Sequence, residues 1–174
     1  MASVAVVLGS VRPGRAGEQV VRWIEDQARL VEGVQTVFVD LRDYNLPLFV
    51  EEMPPSMQAP ELPEAVRLRT NIEANDAVLF VTPEYNHSVP GALKNAIDYL
   101  PPATLKEKAV GLVGYSWYGA VKPLEHLREI MSTFGADVRE QQVGINLGSD
   151  FQDGVFTPSE ELGAQIRELL ASLV

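Results

Sequence analysis

The chain contains no cysteine. That absence excludes disulfide bridges, thiolate zinc sites, Cys-ligated iron–sulfur clusters and a cysteine nucleophile. Histidine is scarce as well: His87 and His126 are the two in 174 residues, so no metal site is expected. No run approaches the roughly 18 apolar residues that a membrane-spanning helix needs. Positive charge is short too, with 14 Lys and Arg against 24 Asp and Glu and a formal charge of −10. Affinity for nucleic acid rests mainly on phosphate neutralisation by Lys and Arg, so nucleic acid is not expected as a partner. A single bound phosphate is a different matter. At a Debye length of about 8 Å distant carboxylates are screened, and local donors decide.

What is present is an alternation of short β-branched runs with longer stretches of helical period. Strands are expected over Val4–Leu8, Val34–Val39, Ala77–Thr82, Lys108–Tyr115 and Val138–Asn146. Between and after them, Val20, Val21, Ile24, Ala28 and Val31 mark one helical stripe, and Pro63–Ala74 reads as a second helix. Ala92, Leu93, Ala96, Ile97 and Leu100 mark a third, ended by Pro101-Pro102. Val121, Leu124, Leu127, Ile130, Met131 and Phe134 give a fourth stripe, and Leu162, Ile166, Leu169, Leu170 and Leu173 a fifth. Leu41–Pro60, rich in Pro, Met and acidic residues, reads as a long connecting loop. The apolar start, Met1 to Gly9, lacks a basic flank and reads as a first strand, not a leader. The expectation is one domain over residues 1–174, soluble and cytoplasmic. Its βα units imply an α/β fold: a doubly wound, five-stranded parallel sheet in the flavodoxin-like order 2-1-3-4-5, with helices on both faces. Ligands of such sheets bind at the carboxyl ends of the strands.

Two loops at those ends carry the chemistry. Gly9-Ser10-Val11-Arg12-Pro13-Gly14-Arg15-Ala16-Gly17-Glu18 follows the first strand. Glycines let backbone approach a ligand closely, and the first N–H groups of the next helix are unpaired donors beside a partial positive charge. Ser10 adds a hydroxyl, and Arg12 and Arg15 add charge-assisted donors. The segment has neither a Gly-Lys-Ser/Thr ending nor a Gly-x-Gly-x-x-Gly spacing, so a terminal monophosphate fits better than a pyrophosphate. After the third strand comes Thr82-Pro83-Glu84-Tyr85-Asn86-His87-Ser88-Val89-Pro90-Gly91, with prolines stiffening both ends and Pro90 expected in the first helical turn. A stiff turn of this kind presents backbone N–H groups edge-on to a flat heterocycle, with Tyr85 offering a ring face or edge. His87 and Glu84 are assigned no acid–base role.

With these loops in view, the sequence resembles the NADPH-dependent FMN reductase family, the flavodoxin-like group that includes quinone and chromate reductases. The resemblance rests on Gly9-Ser10-Val11-Arg12-x-Gly14 and on Thr82-Pro83-Glu84-Tyr85-Asn86-x-Ser88-x-Pro90-Gly91-x-Leu93-Lys94-Asn95-x-Ile97-Asp98. It implies FMN as cofactor and NADPH or NADH as hydride donor. By the same resemblance, Ser10, Arg12, Arg15, Gly17, Glu18 and Gln19 match the phosphate-holding segment, and Pro83, Glu84, Tyr85, Asn86 and Ser88 the turn that contacts the isoalloxazine ring. The family's Ser and glycines after strand four correspond to Ser116-Trp117-Tyr118-Gly119-Ala120, where two bulky aromatics depart from the pattern.

The implied activity is an FMN-dependent NAD(P)H oxidoreductase working by a ping-pong cycle. FMN carries the chemistry, and no catalytic side chain is assigned. Its acceptor is a small molecule, with quinone, free flavin, azo compound and metal oxyanion all open. The family also implies a homodimer or homotetramer, and the Leu46–Pro60 loop offers apolar surface either for that contact or for a pocket lid. The alternative is a flavodoxin-like FMN-binding electron-transfer or sensor module without nicotinamide oxidation. A hydrolase reading of Gly114-Tyr115-Ser116-Trp117-Tyr118-Gly119 fails, because Tyr118 stands where a nucleophile elbow needs Gly.

Overall fold

The computed structural model describes residues 1–174. Strand β1 (Ala2–Leu8) leads into helix α1 (Gly17–Ala28), and β2 (Val34–Asp40) is followed by a single 3-10 turn at Leu41–Asp43 and a long loop. Helix α2 (Pro63–Glu73), β3 (Ala77–Pro83), α3 (Gly91–Asp98), β4 (Ala109–Ser116) and α4 (Val121–Thr133) come next. Two short strands follow, β5 (Asp137–Val138) and β6 (Val143–Asn146), then a hairpin of β7 (Phe151–Gln152) and β8 (Val155–Phe156), and finally α5 (Glu160–Ser172).

The strands run parallel in the order β2-β1-β3-β4-β5, with β6 also paired to β4. The order is the expected 2-1-3-4-5; the continuous fifth strand is not observed. Asp137 and Val138 pair with Ala109 and Val110, and the chain rejoins the sheet only where Val143 meets Val113. Arg139, Glu140, Gln141 and Gln142 lie between, and four consecutive polar side chains suit a loop better than a doubly covered strand. The β7–β8 hairpin is a further departure from the expected elements. Pro90 is the residue before α3 and not part of its first turn, with φ −58° and ψ 144°.

Alternation along β1 sends its side chains to two separate cores. Val4, Val6 and Leu8 join Val20, Val21 and Ile24 of α1 and Leu162, Ile166, Leu169 and Leu170 of α5. Ala5 and Val7 face Leu68 and Ile72 of α2, Leu93 and Ile97 of α3, and Leu124, Leu127 and Met131 of α4. Burial of such side chains contributes about 1.5–3 kcal/mol each, which anchors helices on both faces. The register brings the strand ends together on one rim: Leu8 lies beside Asp40 and Val81, Pro83 beside Tyr115, and Ser116 beside Asn146.

Candidate functional site

On that rim lies a cleft of about 350 Å³ lined by Ser10, Arg12, Gly14, Arg15, Ala16, Pro83, Glu84, Tyr85, Tyr115, Ser116, Trp117 and Leu147. Among the residues singled out in the sequence, it gathers Ser10, Arg12, Arg15, Pro83, Glu84, Tyr85, Ser116 and Trp117. Gly17, Glu18, Gln19, Asn86, Ser88, Tyr118 and Gly119 flank it without lining it. Tyr115 and Leu147 are the lining side chains that the sequence reading does not single out.

The floor is the loop between β1 and α1. The backbone N–H groups of Gly14, Arg15, Ala16 and Gly17 donate to no protein acceptor. Free amides at the amino end of a helix, here one of twelve residues, suit an anion through their unpaired donors and the helix dipole. Ser10 is buried, and its hydroxyl meets the Tyr85 hydroxyl at 2.9 Å, joining the two loops. Arg12 is exposed at the mouth, with no side-chain partner.

Arg15 behaves otherwise. Its side chain is buried, its terminal nitrogens bond both carboxylate oxygens of Asp40, and one of them also bonds the Ser10 carbonyl. Its Nε lies 3.3 Å from the Glu18 carboxylate. Burial alone would raise the Asp40 carboxyl, but the Arg15 bonds, the Arg42 N–H and the two positive charges hold it below the ordinary carboxylate range. The guanidinium is thus an internal strut across the strand ends. Glu18 also pairs with Arg42 at 2.9 Å. Gln19 points away from the cleft: its amide donates to the Gly154 carbonyl at 2.8 Å and accepts from the Phe156 N–H at 2.9 Å.

One wall is the turn after β3. Tyr85 and Ser88 exchange both backbone hydrogen bonds, at 2.9 and 3.0 Å, around Asn86 and His87. Both of those residues have positive φ, 50° and 63°, the geometry of a two-residue type I′ turn. The N–H groups of Glu84 and Asn86 are left without protein acceptors. Glu84 lies 3.2 Å from the exposed His87 ring, and Ser88 Oγ meets His126 Nδ1 at 3.1 Å, which braces the turn against α4.

The opposite wall is the turn after β4. The Ser116 hydroxyl accepts from the N–H groups of Tyr118 and Ala120, at 3.0 and 2.8 Å, and so shapes the turn. Gly119 takes a φ of +76°, which favours glycine. Trp117 and Tyr118 project outward, 67% and 80% exposed. The loop after β6 props the indole: a Cβ on Gly148 would lie 3.5 Å from Trp117. That loop is held by Asn146 N–H to Asp150 at 2.8 Å and by Gly148 N–H to the Asn146 side chain at 2.8 Å.

The long loop after β2 is tethered to the neighbouring helix. Asn95 of α3 accepts from the Phe49 N–H at 2.9 Å and donates to the Pro47 carbonyl at 2.7 Å. Phe49 packs edge-on against Tyr99, ring centroids 5.1 Å apart. Leu48, Val50 and Met57 remain largely exposed.

This geometry agrees with comparisons to known proteins. Residues 2–150 match the family described as NADPH-dependent FMN reductase. The chain is 31% identical over 189 residues to the NAD(P)H-dependent FMN reductase LOT6 of Saccharomyces cerevisiae, covering 98% of this chain and 96% of that protein. A quinone reductase of Pseudomonas putida is 46% identical over 97 residues, 55% of this chain and 48% of that protein, so the match spans about half of that relative. Among solved structures, FerB, a flavoenzyme NAD(P)H:(acceptor) oxidoreductase from Paracoccus denitrificans, superposes with a TM-score of 0.75 at 26% identity over 99% of both chains. The sheet order, the cleft at its carboxyl rim and the match over most of the sequence lead to one assignment: the chain belongs to the NADPH-dependent FMN reductase family.

Proposed function

We propose that the cleft holds FMN and that the protein passes hydride from NADPH or NADH to a small-molecule acceptor such as a quinone or azo compound. The observation that carries this reading is the run of free amides at Gly14–Gly17, beside Ser10 and Arg12, facing a proline-braced turn across one cleft. Bound FMN supplies the hydride chemistry, and the chain supplies binding and orientation. The amides, with Arg12, suit a phosphate; the Glu84 and Asn86 N–H groups suit an electron-rich ring edge, in the manner of an oxyanion hole. Trp117 forms the outer wall, where a planar substrate stacks. No acid–base side chain is needed, because solvent supplies the proton.

Relatives named as FMN, quinone and azo reductases support the reaction class. No helix is long and apolar enough to cross a membrane, and we place the protein in the cytoplasm. A second copy of the chain is the expected partner of the exposed apolar side chains on the tethered loop, giving a homodimer or homotetramer. The deciding experiment is anaerobic mixing of the flavin-loaded protein with NADPH and with NADH. Rapid loss of the flavin's visible absorbance with either donor is expected. Persistence with both would leave an FMN-binding electron-transfer or sensor module.

A further inference from the structure

Tyr115, the last residue but one of β4, lies beneath the amino end of α1. Its side chain is 3% exposed and lines the cleft; the Ser10 hydroxyl and the Gly17 N–H lie close to its oxygen, yet its own O–H finds no acceptor in good hydrogen-bonding geometry. A Cβ built on Gly17 would lie 2.4 Å from that oxygen, so the hydroxyl sits against the first residue of the helix, among the free amides. The neighbouring Ser10 and Tyr85 hydroxyls are paired with each other. A buried O–H without an acceptor destabilises a folded protein, and native structures rarely keep one without a use for it. Arg15, the obvious charged donor in the sequence, has its terminal nitrogens committed to Asp40 and the Ser10 carbonyl.

We propose that Tyr115 is a ligand of the cofactor phosphate, its hydroxyl donating upward through the floor of the loop, while Arg15 stays bound to Asp40. The assignment rests on the FMN reading above. A phosphate oxygen is the acceptor this hydroxyl lacks, and a neutral donor adds no charge to a loop already crossed by an ion pair. Burial pushes the phenol well above its ordinary value, so it remains a proton donor throughout the working pH range.

The test is Tyr115→Phe, which keeps ring and volume. FMN and riboflavin are titrated in parallel by quenching of flavin fluorescence, and the flavin-free protein is melted with and without inorganic phosphate. Expected results are an unchanged or higher Tm without ligand, an FMN affinity lowered about tenfold or more, and an unaltered riboflavin affinity. Phosphate should protect the wild type from heat more than the variant. Unchanged FMN affinity, an equal loss for both flavins, or equal protection by phosphate would overturn the assignment. A wild-type protein that takes up neither flavin would overturn the FMN reading itself, and this one with it.

Discussion

Arg15 and Asp40 stand 25 positions apart in sequence and meet through a two-pronged ion pair, one arm at 2.8 Å, with both side chains buried. The parallel register explains the meeting: Asp40 lies beside Leu8, so the end of β2 abuts the loop that leaves β1. A buried ion pair is often no better than an apolar pair of the same shape, but removing one partner strands the other charge.

Asp40→Asn should therefore destabilise the protein by about 3–5 kcal/mol, read from urea unfolding. The pH dependence has a defined sign. Because the folded Asp40 carboxyl lies below its unfolded value of about 3.9, its contribution is complete above that value and is lost as pH falls through the folded one. The wild-type urea midpoint should drop more steeply below about pH 4 than that of Asp40→Asn.

Gly144 offers a test of the second wall. A Cβ there would lie 2.4 Å from the Gly119 carbonyl, a backbone atom in a turn already held at positive φ. Gly144→Ala should cost about 1–3 kcal/mol in denaturant and displace the turn that carries Trp117. A change in Trp fluorescence accompanying the loss of stability would report that displacement.

Trp117 should discriminate acceptors by shape. Aromatic stacking is worth about 0.5–1.5 kcal/mol beyond buried area, so Trp117→Ala should lower kcat/KM for a planar quinone about three- to tenfold. Ferricyanide, which is not planar, should react as before. Equal losses for both acceptors would remove the indole from substrate recognition.

The Asn95 tether predicts a local effect. Asn95→Ala frees the Phe49 N–H and the Pro47 carbonyl to solvent and should destabilise the protein by about 0.5–1.5 kcal/mol. Limited proteolysis should then cut within residues 48–60 faster than in the wild type.

The sheet order was legible because Val4–Leu8, Ala77–Thr82 and the start of β4 are apolar runs separated by helical stripes, a pattern with few alternative folds. The interruption at Arg139–Gln142 was visible as polarity but outweighed by the flanking valines. The β7–β8 hairpin had its signal in Asp153-Gly154, whose φ values of 50° and 79° make a type I′ turn. Its strands of two residues are too short for periodicity to register. In the cleft, loop positions were readable because turn residues and glycines mark them locally. Which guanidinium is left unpaired at the cleft was not: Arg15 is claimed by Asp40 through a long-range register, and Tyr115 becomes a lining residue only once β4 is set beside β3.

The stretch matching the family ends at residue 150, just before the hairpin that Gln19 grips with both ends of its amide. Phe156 stands edge-on to Trp23 at 5.2 Å, so the hairpin clasps α1 from the side. Residues 151–156 therefore act as a fastener on the helix whose leading amides are free of protein acceptors. Shortening this clasp should loosen the hold on an anion without touching any residue that meets it.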